Sequence, residues 1–273
     1  MQNFNSLIIS HYSKKNLLNY LINRINEEGL SIDSLTLDDL KSFDEFHIGG
    51  LQATLDLINQ LNIKPNMSVL DIGCGIGGSA RQIAFNYNAK VTGIDLTEEF
   101  IKTAIKLTEL VGLNIRFQKG SALDIPYDNN IFDIVTLIHV GMNIYNKRLL
   151  FSEVARVIKK TGKFAIYDIM RIKKGILKYP VPWASNHKTS FVDSPEIYFK
   201  LAKEVGFITY KKRIRKNFAL EYFKKLKNEQ NFQRKRLGLK LLIGADSKIK
   251  AENIENAIRE NLIAPIEIIF KKK

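Results

Sequence analysis

A chain of 273 residues with 45% hydrophobic and 26% charged side chains can bury a full core, which excludes disorder as the default state. Its net charge is +14, and twelve Lys or Arg against two Glu between Tyr210 and Lys240 account for ten of those charges. The single cysteine, Cys74, excludes an internal disulfide and a cysteine-built metal site, and no metal centre is expected.

Residues 1–65 carry helical patterns (Leu17, Leu18, Leu21, Ile22, Ile25; then Leu51, Leu55, Ile58, Leu61) separated by Phe46-His47-Ile48-Gly49-Gly50, and they form an N-terminal helical cap. The apolar Leu7-Ile8-Ile9 is too short for a signal-peptide core, and no run approaches the roughly 18 residues of a membrane span, so a cytoplasmic protein is expected. From Ser68 onward, short β-branched runs alternate with helical stretches. The runs are 68–72, 89–94, 114–118, 132–138, 164–169, 207–214 and 266–270. Such alternation predicts an α/β fold, a doubly wound, seven-stranded, mostly parallel, Rossmann-like sheet. The core spans 66–216, and 217–273 supplies a helical insertion and the final strand. Ligands of such sheets bind beyond the carboxyl ends of the strands. Asp71, Asp95, Ser121, His139 and Asp168 all fall at or just after such ends, which argues for one shared site.

The first run ends in Asp71-Ile72-Gly73-Cys74-Gly75-Ile76-Gly77-Gly78, whose glycines permit a tight turn and close approach of a ligand to the backbone. A carboxylate at position 71 would repel a dinucleotide pyrophosphate and suits a cationic ligand such as S-adenosylmethionine. Seventeen residues after Gly78, Asp95 closes the second run, where an acidic residue accepts hydrogen bonds from ribose hydroxyls. The alternative is that Asp95 only caps a helix start, with Thr97 as a second candidate cap. Cys74 sits where the turn needs a small side chain and reads as packing.

These strings resemble the class I S-adenosylmethionine-dependent methyltransferases. The segments Asp44-Glu45-Phe46-His47-Ile48-Gly49-Gly50, Ala122-Leu123-Asp124-Ile125-Pro126-Tyr127, His139-Val140-Gly141-Met142-Asn143-Ile144 and Tyr179-Pro180-Val181-Pro182-Trp183-Ala184 are similar to small-molecule members related to the sarcosine/dimethylglycine N-methyltransferases. The resemblance implies that Asp71, Gly73 and Gly75, with Cys74 and Gly78 of the same turn, hold the methionine end of the cofactor. It assigns Asp95 and Leu96 to the ribose, Ser121 and Ala122 to the adenine, and His139 to the methionine portion. Relatives often carry Asp at position 121, and the phosphoethanolamine enzymes place a catalytic His where this chain has Asn143.

The expected activity is in-line methyl transfer from S-adenosylmethionine to a small-molecule acceptor, an amine, in an enclosed pocket. An amine must arrive neutral, and His139 or Tyr12 could accept its proton. Tyr12, His139 and Asn143 are the catalytic candidates, and His47, Tyr167 and Trp183 the substrate candidates. Each of the outer ones has a plainer reading. His139 could cap its strand, the Gly49–Gly50 turn could explain His47, and Trp183 could anchor the core. The alternative function is a methyltransferase acting on RNA or protein through the basic 210–240 stretch. That stretch is expected to be a solvated face, so no nucleic-acid partner is expected.

Overall fold

The computed structural model describes residues 4–13, 16–228 and 246–273. The helices are α1 (Phe4–Tyr12), α2 (Leu17–Glu27), α3 (Leu37–Asp44), α4 (Gly50–Ile58), α5 (Gly78–Tyr87), α6 (Glu98–Leu110), α7 (Lys147–Val157), α8 (Pro195–Glu204), α9 (Lys216–Asn228) and α10 (Ser247–Arg259). The strands are β1 (Ser68–Ile72), β2 (Lys90–Asp95), β3 (Arg116–Lys119), β4 (Phe132–Ile138), β5 (Ile158–Arg171), β6 (Phe207–Ile214) and β7 (Ile263–Lys272).

One seven-stranded sheet runs in the order β3-β2-β1-β4-β5-β7-β6. β7 lies antiparallel between β5 and β6, and the remaining pairs are parallel. The chain winds outward from β1 to β3, then crosses back to β4 on the other side of β1. Strand order therefore reverses between β1 and β4, and a crevice opens there beyond their carboxyl ends.

Alternation along the strands separates two faces. Leu70, Ile72, Val135 and Phe164 pack with Phe151 and Val154 of α7 and Tyr198 of α8. Val69, Val91 and Ile134 pack with Leu57 of α4 and Ile83 of α5. The apolar stripe of α2 (Leu17, Leu21, Ile25) closes with Leu40, Phe43 and Ile76 on Phe100 and Leu107 of α6, and so fastens the N-terminal helices to the sheet layer. On the opposite side, Ala219 and Phe223 of α9 and Ile254 and Ile258 of α10 pack with Ile169, Val181 and Trp183.

β5 is longer than the run 164–169 that its apolar residues define. Phe132 already pairs with Ile158, before a register shift that carries the chain through Lys159–Gly162. Consequently Asp168 lies inside the strand rather than at its end. Part of the basic 210–240 stretch, residues 229–240, falls outside the described residues. In the described part Arg215 is buried, paired with Asp56 (2.5 Å) and Glu267 (3.2 Å), and Arg213 also pairs with Glu267 (2.5 Å). The expected solvated face is thus corrected at these two positions: they neutralise a buried carboxylate on β7. No described helix is long and apolar enough to cross a membrane.

Candidate functional site

The turn leaving β1 carries the first wall of a cavity. Gly75 has φ +54° and a Cβ built there would meet nothing within 4 Å, so the position needs glycine for its left-handed backbone. Gly78 needs it for packing. A Cβ there would stand 2.8 Å from the Asp44 carbonyl, the end of α3. Asp44 in turn pairs with the fully buried Arg81 of α5 (2.5 Å), whose guanidinium also donates to the Ile76 carbonyl and Thr108. The glycine turn therefore serves the cap as well as the cavity, a link that no sequence motif announced.

Every residue expected at the site lines this cavity except Tyr167 and Asp168. Asp71 is 2% exposed; one oxygen accepts from the Thr136 hydroxyl of β4 (2.7 Å), and Oδ2 has no partner. Burial raises its pKa to about 7, against the opposing Thr136 hydrogen bond. Asp95 accepts from the Gly75 amide (3.1 Å) and the Thr97 amide (2.8 Å), while the Thr97 side chain makes no capping bond. Asp95, not Thr97, is the acceptor at the start of α6. Each of its oxygens keeps a second lone pair for a ligand. Ser121 Oγ accepts from Leu123 N (3.1 Å), which pins its own turn beside Ala122. Cys74 is buried, and burial pushes its thiol well above the ordinary range, in keeping with a packing role.

The cap supplies the opposite wall. Tyr12 donates to Asn143 Oδ1 (2.9 Å), and Asn143 Nδ2 donates to the Trp183 carbonyl (2.9 Å), so α1, the turn after β4 and the Trp183 loop are latched together. Burial raises the Tyr12 pKa, so the phenol stays neutral. His139 has φ +53°, its ring 4.9 Å from Tyr167 and 5.4 Å from His47. Burial, then the neighbouring His47, holds it well below the usual imidazole range, and its buried Nε2 has no partner. Trp183 is 1% exposed and donates to Ser190 Oγ (2.9 Å), so it anchors the core and walls the cavity at once.

Two expectations are corrected by position. Tyr167 stands behind the lining, fully buried, its hydroxyl donating to the Ile48 carbonyl (2.9 Å). Asp168 accepts from Tyr198 (2.7 Å) within the core beneath the Gly141–Asn143 turn and does not line the cavity. Glu45 was missed as a site residue. It lines the cavity with an unpartnered Oε1, and its spacing of two from His47 was the available signal.

A methyltransferase-domain family model matches residues 63–233. The chain belongs to that family. Among known proteins, this methyltransferase domain is 36% identical over 114 residues to a sterol 24-C-methyltransferase of Gibberella zeae, covering 41% of this chain and 30% of the relative. It is 32% identical over 126 residues to a phosphoethanolamine N-methyltransferase of Arabidopsis thaliana, 46% of this chain and 26% of that one. The chain thus matches under a third of the length of these relatives. Among solved structures, a protein assigned as a sarcosine dimethylglycine methyltransferase from Galdieria sulphuraria superposes with a TM-score of 0.71 at 24% identity, covering 82% of this chain and 85% of that one. A geranyl diphosphate C-methyltransferase of Streptomyces coelicolor superposes at 0.70 with 17% identity, over 100% and 99% of the two chains. The fold is that of class I S-adenosylmethionine-dependent methyltransferases.

Proposed function

We propose that this domain transfers a methyl group from S-adenosylmethionine to a small amine held in the enclosed cavity. The observation that carries the reading is the buried, unpartnered Oδ2 of Asp71 at the strand-order reversal, an acceptor that a ligand ammonium would satisfy. Asp95 and the open side of Gly75 fit a ribose and a close-lying backbone contact, so the residues present suit the cofactor. Bound there, S-adenosylmethionine supplies an activated methyl group, and the protein's part is alignment and exclusion of water. Alignment alone is worth about 7–11 kcal/mol of barrier.

The lining supports an amine as the acceptor's class. None of the described lining residues is Lys or Arg, whereas Glu45, Asp71 and Asp95 contribute carboxyls and Tyr12, Phe46 and Trp183 contribute rings. A phosphate or diphosphate ester calls for cationic donors. A protonatable amine finds carboxyls and aromatic faces instead. The free Nε2 of neutral His139 supports a further hydrogen bond to the bound amine. The test is release of S-adenosylhomocysteine from S-adenosylmethionine over a panel of alkylamines, phosphorylated amino alcohols and alcohols. Turnover with amines is expected; turnover confined to the phosphorylated compounds would contradict the amine reading.

A further inference from the structure

Glu45 is 9% exposed and lies between the end of α3 and the Gly49–Gly50 turn. Its two oxygens are treated differently. The Thr54 hydroxyl of α4 donates to Oε2 (3.1 Å), and His47 Nδ1 lies 3.3 Å from the same oxygen. Thr54 Oγ also lies 3.2 Å from His47 Nε2, so the three side chains close a ring of contacts around Oε2. Oε1 meets no partner, although it is buried and belongs to a residue that lines the cavity. Leaving a buried acceptor unpaired is costly, and native structures rarely do so without a ligand or water to fill it.

We propose that Glu45 Oε1 receives the ammonium group of the methyl acceptor and takes a proton from it, with the Thr54 hydroxyl holding Oε2 in place and His47 Nε2 steadying that hydroxyl. This rests on the amine reading above and adds the residue that selects and deprotonates the amine. Asp71 and Asp44 face Glu45 with negative charge and Arg81 with positive charge, but Arg81 is already engaged by Asp44. Burial, then the charge of Asp44, raises the Glu45 pKa to about 8. At neutral pH the resting side chain is therefore largely the acid. The same burial lowers the His47 pKa to about 4, so His47 stays neutral beside it.

The proton balance follows. An arriving R–NH3+ cannot sit against a protonated Glu45 without one proton leaving. The acid loses its proton to solvent, and the resulting carboxylate accepts the ammonium. In the dry site the pair then relaxes by N–H cleavage and O–H formation to Glu45–COOH and R–NH2, since a low dielectric disfavours separated charge. One proton is released overall, and a neutral nucleophile remains.

The experiment titrates hexylamine, and 1-hexanol as its uncharged counterpart, into full-length protein saturated with S-adenosylhomocysteine. Calorimetry is run at pH 7 in buffers of differing ionisation heat. The wild type should bind the amine at least tenfold more tightly than the alcohol and release close to one proton per amine bound. Glu45→Gln, which preserves shape, should bind both probes alike and release none, with S-adenosylhomocysteine affinity changed less than twofold. Glu45→Asp should restore part of the preference. Wild-type protein that binds the two probes alike, or binds the amine without proton release, overturns the proposal with no variant needed. Loss of S-adenosylhomocysteine affinity in Glu45→Gln also overturns it, because the carboxylate would then serve the cofactor. Failure of the wild type to bind S-adenosylhomocysteine is a separate result and counts against the methyltransferase reading itself.

Discussion

Asp71 joins fold and chemistry most tightly. It sits on β1 with one oxygen fixed by Thr136 across the strand-order reversal, so its other oxygen is presented with little freedom. Its pKa is raised to about 7, so the folded, ligand-free protein favours the acid below that value. Pairing with an ammonium requires the carboxylate, and a proton must leave on binding. Affinity for S-adenosylhomocysteine should therefore rise about tenfold between pH 6 and pH 8. Asp71→Asn should bind weakly with a flat profile; a wild-type profile that is flat or falls with pH would remove Asp71 from the site. Asp95→Ala should weaken binding by about 1–3 kcal/mol, the cost of unpaired buried hydroxyls, measured by the same titration. Both carboxylates were legible from spacing, because each follows an apolar run at a strand end. Asp168 misled for the same reason. Its run continues to Arg171, so it is strand interior, and a run's apolar residues do not mark where its pairing stops.

At the scale of elements, the cap is held by two different devices. One is apolar: α2 closes on α6, and Leu21→Ala should cost about 2–5 kcal/mol in thermal or denaturant unfolding. The other is polar. Arg81 of α5 bonds Asp44 of α3 while fully buried, and removing one partner of such a pair leaves an uncompensated charge. Arg81→Met should destabilise the protein by about 3–5 kcal/mol, and adding Asp44→Asn should recover part of it. An unchanged melting profile would show that the pair carries no such load. The apolar device is visible in the sequence, because Leu17, Leu21 and Ile25 repeat at helical spacing. The polar one is not: its partners lie 37 residues apart, on elements whose packing no periodicity encodes. Glu45 escaped notice for a related reason. Only α4, folding back after the Gly49–Gly50 turn, supplies the Thr54 that distinguishes its two oxygens. The Tyr12–Asn143–Trp183 latch joins three segments by side chains that looked independent. Tyr12→Phe keeps the ring and removes the latch, and should raise the KM of the acceptor more than it lowers kcat.

For the molecule as a whole, a strongly basic protein encloses an acidic cavity. None of the described lining residues is Lys or Arg, and in the described part of the 210–240 stretch no residue lines the cavity. Arg213 and Arg215 answer Glu267 and Asp56 rather than solvent. Neutralising Lys211 and Lys212, which are exposed on β6, should leave S-adenosylhomocysteine binding unchanged, whereas neutralising Arg215 should lower stability. The proposed function requires that the crevice beyond β1 and β2 accept a cationic sulfonium nucleoside and refuse a dinucleotide. Calorimetric titration of the purified protein with S-adenosylhomocysteine and, separately, with NAD tests it most directly. One-to-one binding of S-adenosylhomocysteine and no heat from NAD are expected; binding of NAD with no response to S-adenosylhomocysteine would overturn the assignment.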